Sequence, residues 1–200
     1  MAARYEITRR MFQALLVSTG VVAASEIGDK TQLLALLLAA RFRKPLPIVA
    51  GILVATLANH AGASALGALI QSLISEAMLR YGLGLSFIAV AAWTLIPDKV
   101  DEEDTTVRGR WGVFGITTIA FFLAEMGDKT QIATVMLAAK YDSIVMVTAG
   151  TTLGMMLANV PAVYLGDKAV NFVPLHWVRR IAAAIFLTLG VLVLAGVGTA

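Results

Sequence analysis

The chain contains no cysteine, which removes disulfides, thiolate metal sites and cysteine nucleophiles together. Histidine is nearly absent as well: two in 200 residues, too few for a zinc or copper site of the usual imidazole kind. Charged residues make up only 14% of the chain, where a soluble domain carries about 25%. Apolar residues fill the space instead, at 58% of the chain with a mean hydropathy of +0.81. This composition belongs to a small, all-α integral membrane protein whose first partner is the lipid bilayer. The net charge of +3 fits Lys and Arg gathered in loops rather than a nucleic-acid surface, so no nucleic acid is expected.

Six apolar stretches can be read, at residues 11–40, 46–74, 79–96, 111–139, 144–166 and 177–197. The first and fourth are long enough for helices of about 45 Å, against a hydrocarbon core of about 30 Å. They must tilt strongly, kink or break, and Gly28 and Gly127 lie where a break would fall. Arg4, Arg9 and Arg10 ahead of a short apolar run also look like a cleavable signal peptide. Residues 114–123 precede a second copy of the sequence around Gly28 in the same manner, which argues that the first segment is retained as a span.

The charges that do occur inside apolar sequence are repeated. Glu26-Ile27-Gly28-Asp29-Lys30-Thr31-Gln32 is answered 99 residues later by Glu125-Met126-Gly127-Asp128-Lys129-Thr130-Gln131. The same offset pairs Ala39-Ala40-Arg41 with Ala138-Ala139-Lys140 and Gly51 with Gly150, and Leu57-Ala58-Asn59 matches Leu157-Ala158-Asn159 after a one-residue slip. The duplication divides the chain into residues 1–97 and 111–200, joined by a polar linker at 98–110. Three spans per half is an odd number, so the halves enter the membrane from opposite sides. The expected architecture is two inverted three-helix repeats, with motif helices 1 and 4 kinked or broken at their centres.

Intramembrane charge is expensive and marks function by default. On a continuous helix Glu26 and Asp29 would share a face, and Lys30 would stand one turn after Glu26, close enough to pair with it. Four carboxylates and two ammonium groups leave a charge of −2 when all are ionised, which one divalent cation balances. The ligand atoms are oxygen throughout, suiting magnesium, calcium and manganese, and Asn59 and Asn159 are placed to add amide oxygens. Metal arriving at such carboxylates expels protons and protonation expels metal, which is the core of a cation/proton antiporter. A structural clamp between helices is the plain alternative, and the near-identity of two copies weighs against it.

Other features rank lower. His60 adjoins Asn59, but its repeat partner is Val160, and a lone intramembrane histidine usually makes a helix–helix hydrogen bond. Gly150–Gly154 and Ala61–Ala65 look like packing faces. Trp93, Trp111 and Trp177 read as interfacial residues, Arg179 and Arg180 as a membrane boundary, and acidic residues 101–104 as solvated linker. Lys and Arg divide nine against five between the two sides, which puts the linker in the cytoplasm and both termini outside.

Two copies of Glu-x-Gly-Asp-Lys-Thr, each in the first helix of a three-helix repeat, resemble the GDT family of manganese and calcium transporters, within the lysine-exporter superfamily. The resemblance covers nearly the whole chain. It implies export of Mn²⁺, with Ca²⁺ as a second substrate, in exchange for protons by alternating access across a bacterial inner membrane. Glu26, Asp29, Glu125 and Asp128 would be the metal and proton residues, supported by Thr31, Gln32, Thr130 and Gln131. The residues themselves leave three readings for Lys30 and Lys129: internal counter-charges, orienting groups or snorkelling side chains. The metal would be cargo rather than a resident cofactor, and a homo-oligomer is compatible. Competing readings are an exporter of another small substrate, an intramembrane carboxylate enzyme, a passive channel and a membrane scaffold.

Overall fold

A computed structural model of the protein describes residues 2–96, 112–165 and 175–196, and among them every regular element is helical. The linker at 98–110, its acidic run and Trp111 lie outside the described residues. The first apolar stretch becomes two helices, α1 (Ala2–Glu26) and α2 (Lys30–Phe42), bent 69° at the three residues between them. After them come α3 (Pro45–Leu73) and α4 (Glu76–Thr94). The second half repeats the order with α5 (Gly112–Glu125), α6 (Lys129–Tyr141), α7 (Ile144–Leu165) and α8 (Leu175–Leu194).

Local chemistry sets these boundaries. Pro45 opens α3, where its missing N–H is not needed. Ser75 caps α4 by accepting a hydrogen bond from the Met78 amide at 3.4 Å. Both motif breaks are glycine turns: Gly28 has φ +80° and Gly127 φ +74°. An L-residue there pays a steric penalty of about 1–2 kcal/mol, so glycine is what allows the chain to stop one helix and start another. The helices after the breaks each end on a left-handed residue, Arg43 and Asp142, which stand 99 residues apart like the motifs.

Among the described residues three helices, α3, α4 and α7, are long and apolar enough to cross a membrane, and a fourth span results if bent α1–α2 counts as one. Helix α5 is apolar but only 14 residues long. The distribution of side chains is that of a protein in lipid. Leu53, Leu57, Leu66, Leu153 and Leu157 are exposed, whereas Thr56, Asn59, Ser64, Thr151 and Asn159 are buried.

The motif helices pack chiefly against the other half. Helices α1 and α2 lie against α7, and α5 and α6 lie against α3, so each motif faces a helix of the other half. A Cβ on Gly150 would stand 2.6 Å from the Leu15 carbonyl oxygen, and one on Gly154 2.6 Å from that of Thr19. Their absence lets α7 approach the α1 backbone directly. Gly51, the repeat partner of Gly150, does the same for α3 on α5, where a Cβ would meet Thr117 Cβ at 2.8 Å. The expected Ala61–Ala65 face is a correction: Ala65 is exposed, and α3 buries His60, Ala63, Ser64 and Gly67 instead. Helices α4 and α8 pair outside this crossing, with Phe87 and Phe186 stacked at 6.2 Å. Trp177 is exposed under the Arg180 guanidinium, 5.2 Å above its ring.

Candidate functional site

Each motif is a helix end, a glycine turn and a helix start. Glu26 closes α1, the Asp29 amide donates back to the Glu26 carbonyl at 3.0 Å, and Asp29 stands at the N-cap of α2. Glu125 and Asp128 repeat this at 3.1 Å. The glutamines secure the turns: Gly28 N–H donates to Gln32 Oε1 and Gly127 N–H to Gln131 Oε1, both at 2.8 Å. Gln32 also donates through Nε2 to the Ala158 carbonyl at 3.0 Å, tying the first turn to α7.

Convergence follows from the breaks. Glu26, Asp29 and Asp128 are all buried, and one carboxylate oxygen from each lies within 4.8 Å of the others. Oxygens bound to one ion at about 2.0–2.6 Å lie no more than roughly 4–5 Å apart, so this group can share a cation. Glu125 is not in the group. It accepts hydrogen bonds from Thr56 Oγ1 at 2.9 Å and Asn59 Nδ2 at 3.4 Å, and His60 Nε2 stands 3.8 Å from its Oε2.

The lysines overturn the pairing expected from a continuous helix. Lys30 does not pair with Glu26: its Nζ lies 3.8 Å from Asp128 Oδ1, in the opposite motif. Lys129 reciprocates with a direct ion pair to Asp29. The cause is the break, because Lys30 and Lys129 are the first residues of new helices and no longer follow the glutamates by one turn. The 69° bend after α1 carries Lys30 across to the second motif.

The two copies are unequal in their surroundings. Thr31 donates its hydroxyl to Glu26, whereas Thr130 donates to Asp128 Oδ2 at 3.1 Å. Gly28 and Gln32 are buried, whereas Gly127 is exposed and Gln131 half-buried. Asn159 donates to the Met155 carbonyl at 3.0 Å and leaves its own buried Oδ1 without a hydrogen-bond partner. Thr56 was not among the residues the sequence suggested. Its signal was available in the polar stripe Thr56, Asn59, His60, Ser64, which recurs at helical spacing through otherwise apolar α3.

Apolar helices enclosing an acidic group of this kind define a polytopic integral membrane protein with its polar site inside. The chain belongs to the family of divalent cation/proton antiporters GDT1, whose family model matches residues 14–102 and 113–199. Membership makes it a transporter rather than an enzyme, with a divalent cation and protons as the transported partners. It is 50% identical over 182 residues to a Vibrio cholerae protein named "Putative manganese exporter", covering 90% of each chain. It is 30% identical to "GDT1-like protein 3" of Oryza sativa, over 91% of this chain and 74% of that one. A Synechocystis relative, "GDT1-like protein sll0615", is 27% identical over 80% of this chain and 85% of its own. No solved structure matches the chain.

Proposed function

We propose that this protein exports Mn²⁺ in exchange for protons, with Ca²⁺ as a second substrate, by alternating access. The observation that carries the reading is the meeting of Glu26, Asp29 and Asp128 in one buried group drawn from both motifs. A dication seated there satisfies three carboxylates, of which Asp128 and Asp29 otherwise face Lys30 and Lys129 and Glu26 is held by the Thr31 hydroxyl. Protons arriving at the same oxygens weaken that seat, so the two ions compete for one place. Glu125, held by Thr56 and Asn59, serves as a second station on the path.

In this reading α1–α2 and α5–α6 each form one broken span, giving six spans in two inverted three-helix repeats at residues 1–97 and 111–200. The reciprocal packing of each motif pair on the other half's long helix supports it, as do the crossing glycines Gly51 and Gly150. The unequal exposure of the Gly28 and Gly127 turns supports alternating access, since one turn is buried and the other exposed while the carboxylates of both motifs are buried. The Lys and Arg distribution favours linker 98–110 cytoplasmic and both termini outside, and the 50% identical Vibrio cholerae relative supports a bacterial inner membrane.

Proteoliposomes with equal Mn²⁺ on both sides and an imposed proton gradient test this directly. Protons running down their gradient should drive Mn²⁺ uphill, and Glu26→Gln or Asp128→Asn should abolish the movement in protein that still folds. Undiminished exchange in both variants refutes the assignment. A channel would produce no uphill movement, and a scaffold no flux.

A further inference from the structure

Oxygen ligands alone distinguish Mn²⁺ poorly from Ca²⁺ or Mg²⁺, because all three are accepted by carboxylates and amide oxygens. Imidazole nitrogen shifts the balance toward transition metals. The chain has two histidines, and one of them, exposed His176, lies at the start of α8. The other, His60, is fully buried on α3 beside Glu125. Neither of its ring nitrogens makes a hydrogen bond. A buried polar group left in that condition is costly and rare enough to require an explanation.

Packing does not supply one. Position 160, the repeat counterpart of His60, is valine, so an apolar residue is accommodated at the equivalent place in the other half. The immediate surroundings of His60 are instead those of a ligand set. Glu125 Oε2 lies 3.8 Å from Nε2. That separation falls within the roughly 4–5 Å that two donors on one ion can span. Oε1 of the same carboxylate is already engaged by Thr56 at 2.9 Å, which leaves Oε2 as the oxygen turned toward the imidazole. Asn59 reaches that same oxygen only at 3.4 Å. Thr56, His60 and Ser64 recur every four residues, so they lie along one face of α3, and all three are buried. Thr148 of α7 donates to Ser64 Oγ at 3.0 Å, so polar atoms continue along that face beyond His60.

We propose that His60 is a nitrogen ligand to the transported cation at the Glu125 station, and that it makes the carrier prefer a transition-metal dication over Ca²⁺ and Mg²⁺. The inference rests on the transport reading above and names the residue that sets its selectivity. It also gives a use to the difference between the repeats. The three-carboxylate group of Glu26, Asp29 and Asp128 accepts hard dications generally, whereas the Glu125 station, with the one histidine of the bundle interior among the described residues, discriminates between them.

The test combines spectroscopy with flux. Mn²⁺ bound to the full chain in nanodiscs should show electron spin-echo modulation from a coordinated ¹⁴N, converted to the ¹⁵N pattern when histidine is isotopically labelled. The signal should persist in His176→Gln and vanish in His60→Val. In proteoliposomes His60→Val should raise the KM for Mn²⁺ by about tenfold, as loss of a metal's partner group does, while the KM for Ca²⁺ changes by less than about twofold. Absence of histidine modulation from wild-type protein overturns the proposal, whatever the folding of the variant. So does modulation that survives in His60→Val, or an equal rise in KM for both ions. Wild-type protein that binds Mn²⁺ through histidine but moves none against a proton gradient would leave His60 a ligand and refute the transport reading instead. Protein that binds no Mn²⁺ overturns both.

Discussion

Lys30 and Lys129 occupy the same place in the two motifs, yet their removal should have very different consequences. Lys129 is 3% exposed and is ion-paired directly with Asp29, whose side chain is fully buried. Replacing Lys129 with methionine keeps its apolar bulk and strips the positive charge from beside Asp29, Glu26 and Asp128. Breaking a buried pair in this way costs about 3–5 kcal/mol, because the remaining charge is left uncompensated. Lys30 is 24% exposed and stands 3.8 Å from Asp128. A partly solvated lysine at that distance holds the buried Asp128 less tightly than the direct buried pair holds Asp29, so Lys30→Met should cost clearly less than Lys129→Met. Unfolding by sodium dodecyl sulfate titration, followed by tryptophan fluorescence in the presence of chelator, measures both. The second half of the prediction concerns metal. A dication among these carboxylates restores the charge that the variant lost, and a ligand at a hundred times its Kd stabilises a folded state by about 2.7 kcal/mol. Mn²⁺ should therefore stabilise Lys129→Met more than wild type, since no ammonium has to be displaced from Asp29. Equal stability of the two lysine variants, or a smaller Mn²⁺ effect in Lys129→Met than in wild type, would refute the reasoning.

Thr31→Val removes the hydroxyl that donates to Glu26 and should weaken Mn²⁺ transport by an amount worth about 1 kcal/mol, seen as a severalfold rise in KM; an unchanged KM counts against Glu26 as a ligand. Gly154→Leu drives a side chain into the Thr19 carbonyl, 2.6 Å from where its Cβ would stand, and should cost about 1–3 kcal/mol or abolish folding, whereas Gly82→Leu, with open space around it, should fold normally. Because the chain has no native cysteine, single cysteines at Ile27 and Met126 report the two motif turns without background. Met126 is 57% exposed and Met126→Cys should label readily in the state described here, and conditions that protect it should open Ile27→Cys; labelling that rises and falls together at both positions excludes alternating access.

The sequence exposed the broken helices because glycine at the centre of an over-long apolar stretch has few other uses. It exposed the acidic pairs because charge in lipid is conspicuous. The lysine partners were not legible. Helical periodicity assigns Lys30 to Glu26 only if the helix runs on, and the bend at Gly28 hands it to Asp128 instead. The separation of Glu125 from the other three carboxylates was hidden for a related reason. Its neighbours Thr56, Asn59 and His60 come from α3, more than sixty residues earlier, and no local pattern joins them to the motif. The Gly150–Gly154 face was readable as a packing signal, while the competing Ala61–Ala65 pair fitted the same pattern and leaves Ala65 exposed. Small-residue spacing marks where close approach is allowed; the partner helix decides where it happens.

Near-identical motifs in unequal settings are what the proposed alternating access requires of a duplicated half. If both turns were equally buried and both threonines served the same carboxylate, the halves would be interchangeable and neither face of the membrane would be favoured. Instead Thr31 supports Glu26, while Thr130 supports Asp128 and leaves Glu125 to α3. Lys129 is buried on Asp29, while Lys30 is partly solvated near Asp128. Exchanging these roles between the motifs would yield the same set of contacts with the exposed turn on the other side. Part of the asymmetry can be exchanged in that way and part cannot. His60 corresponds to Val160 in the repeat, and that difference persists in any conformation. In the proposed mechanism the exchangeable part moves the ion, and the fixed part chooses which ion is moved.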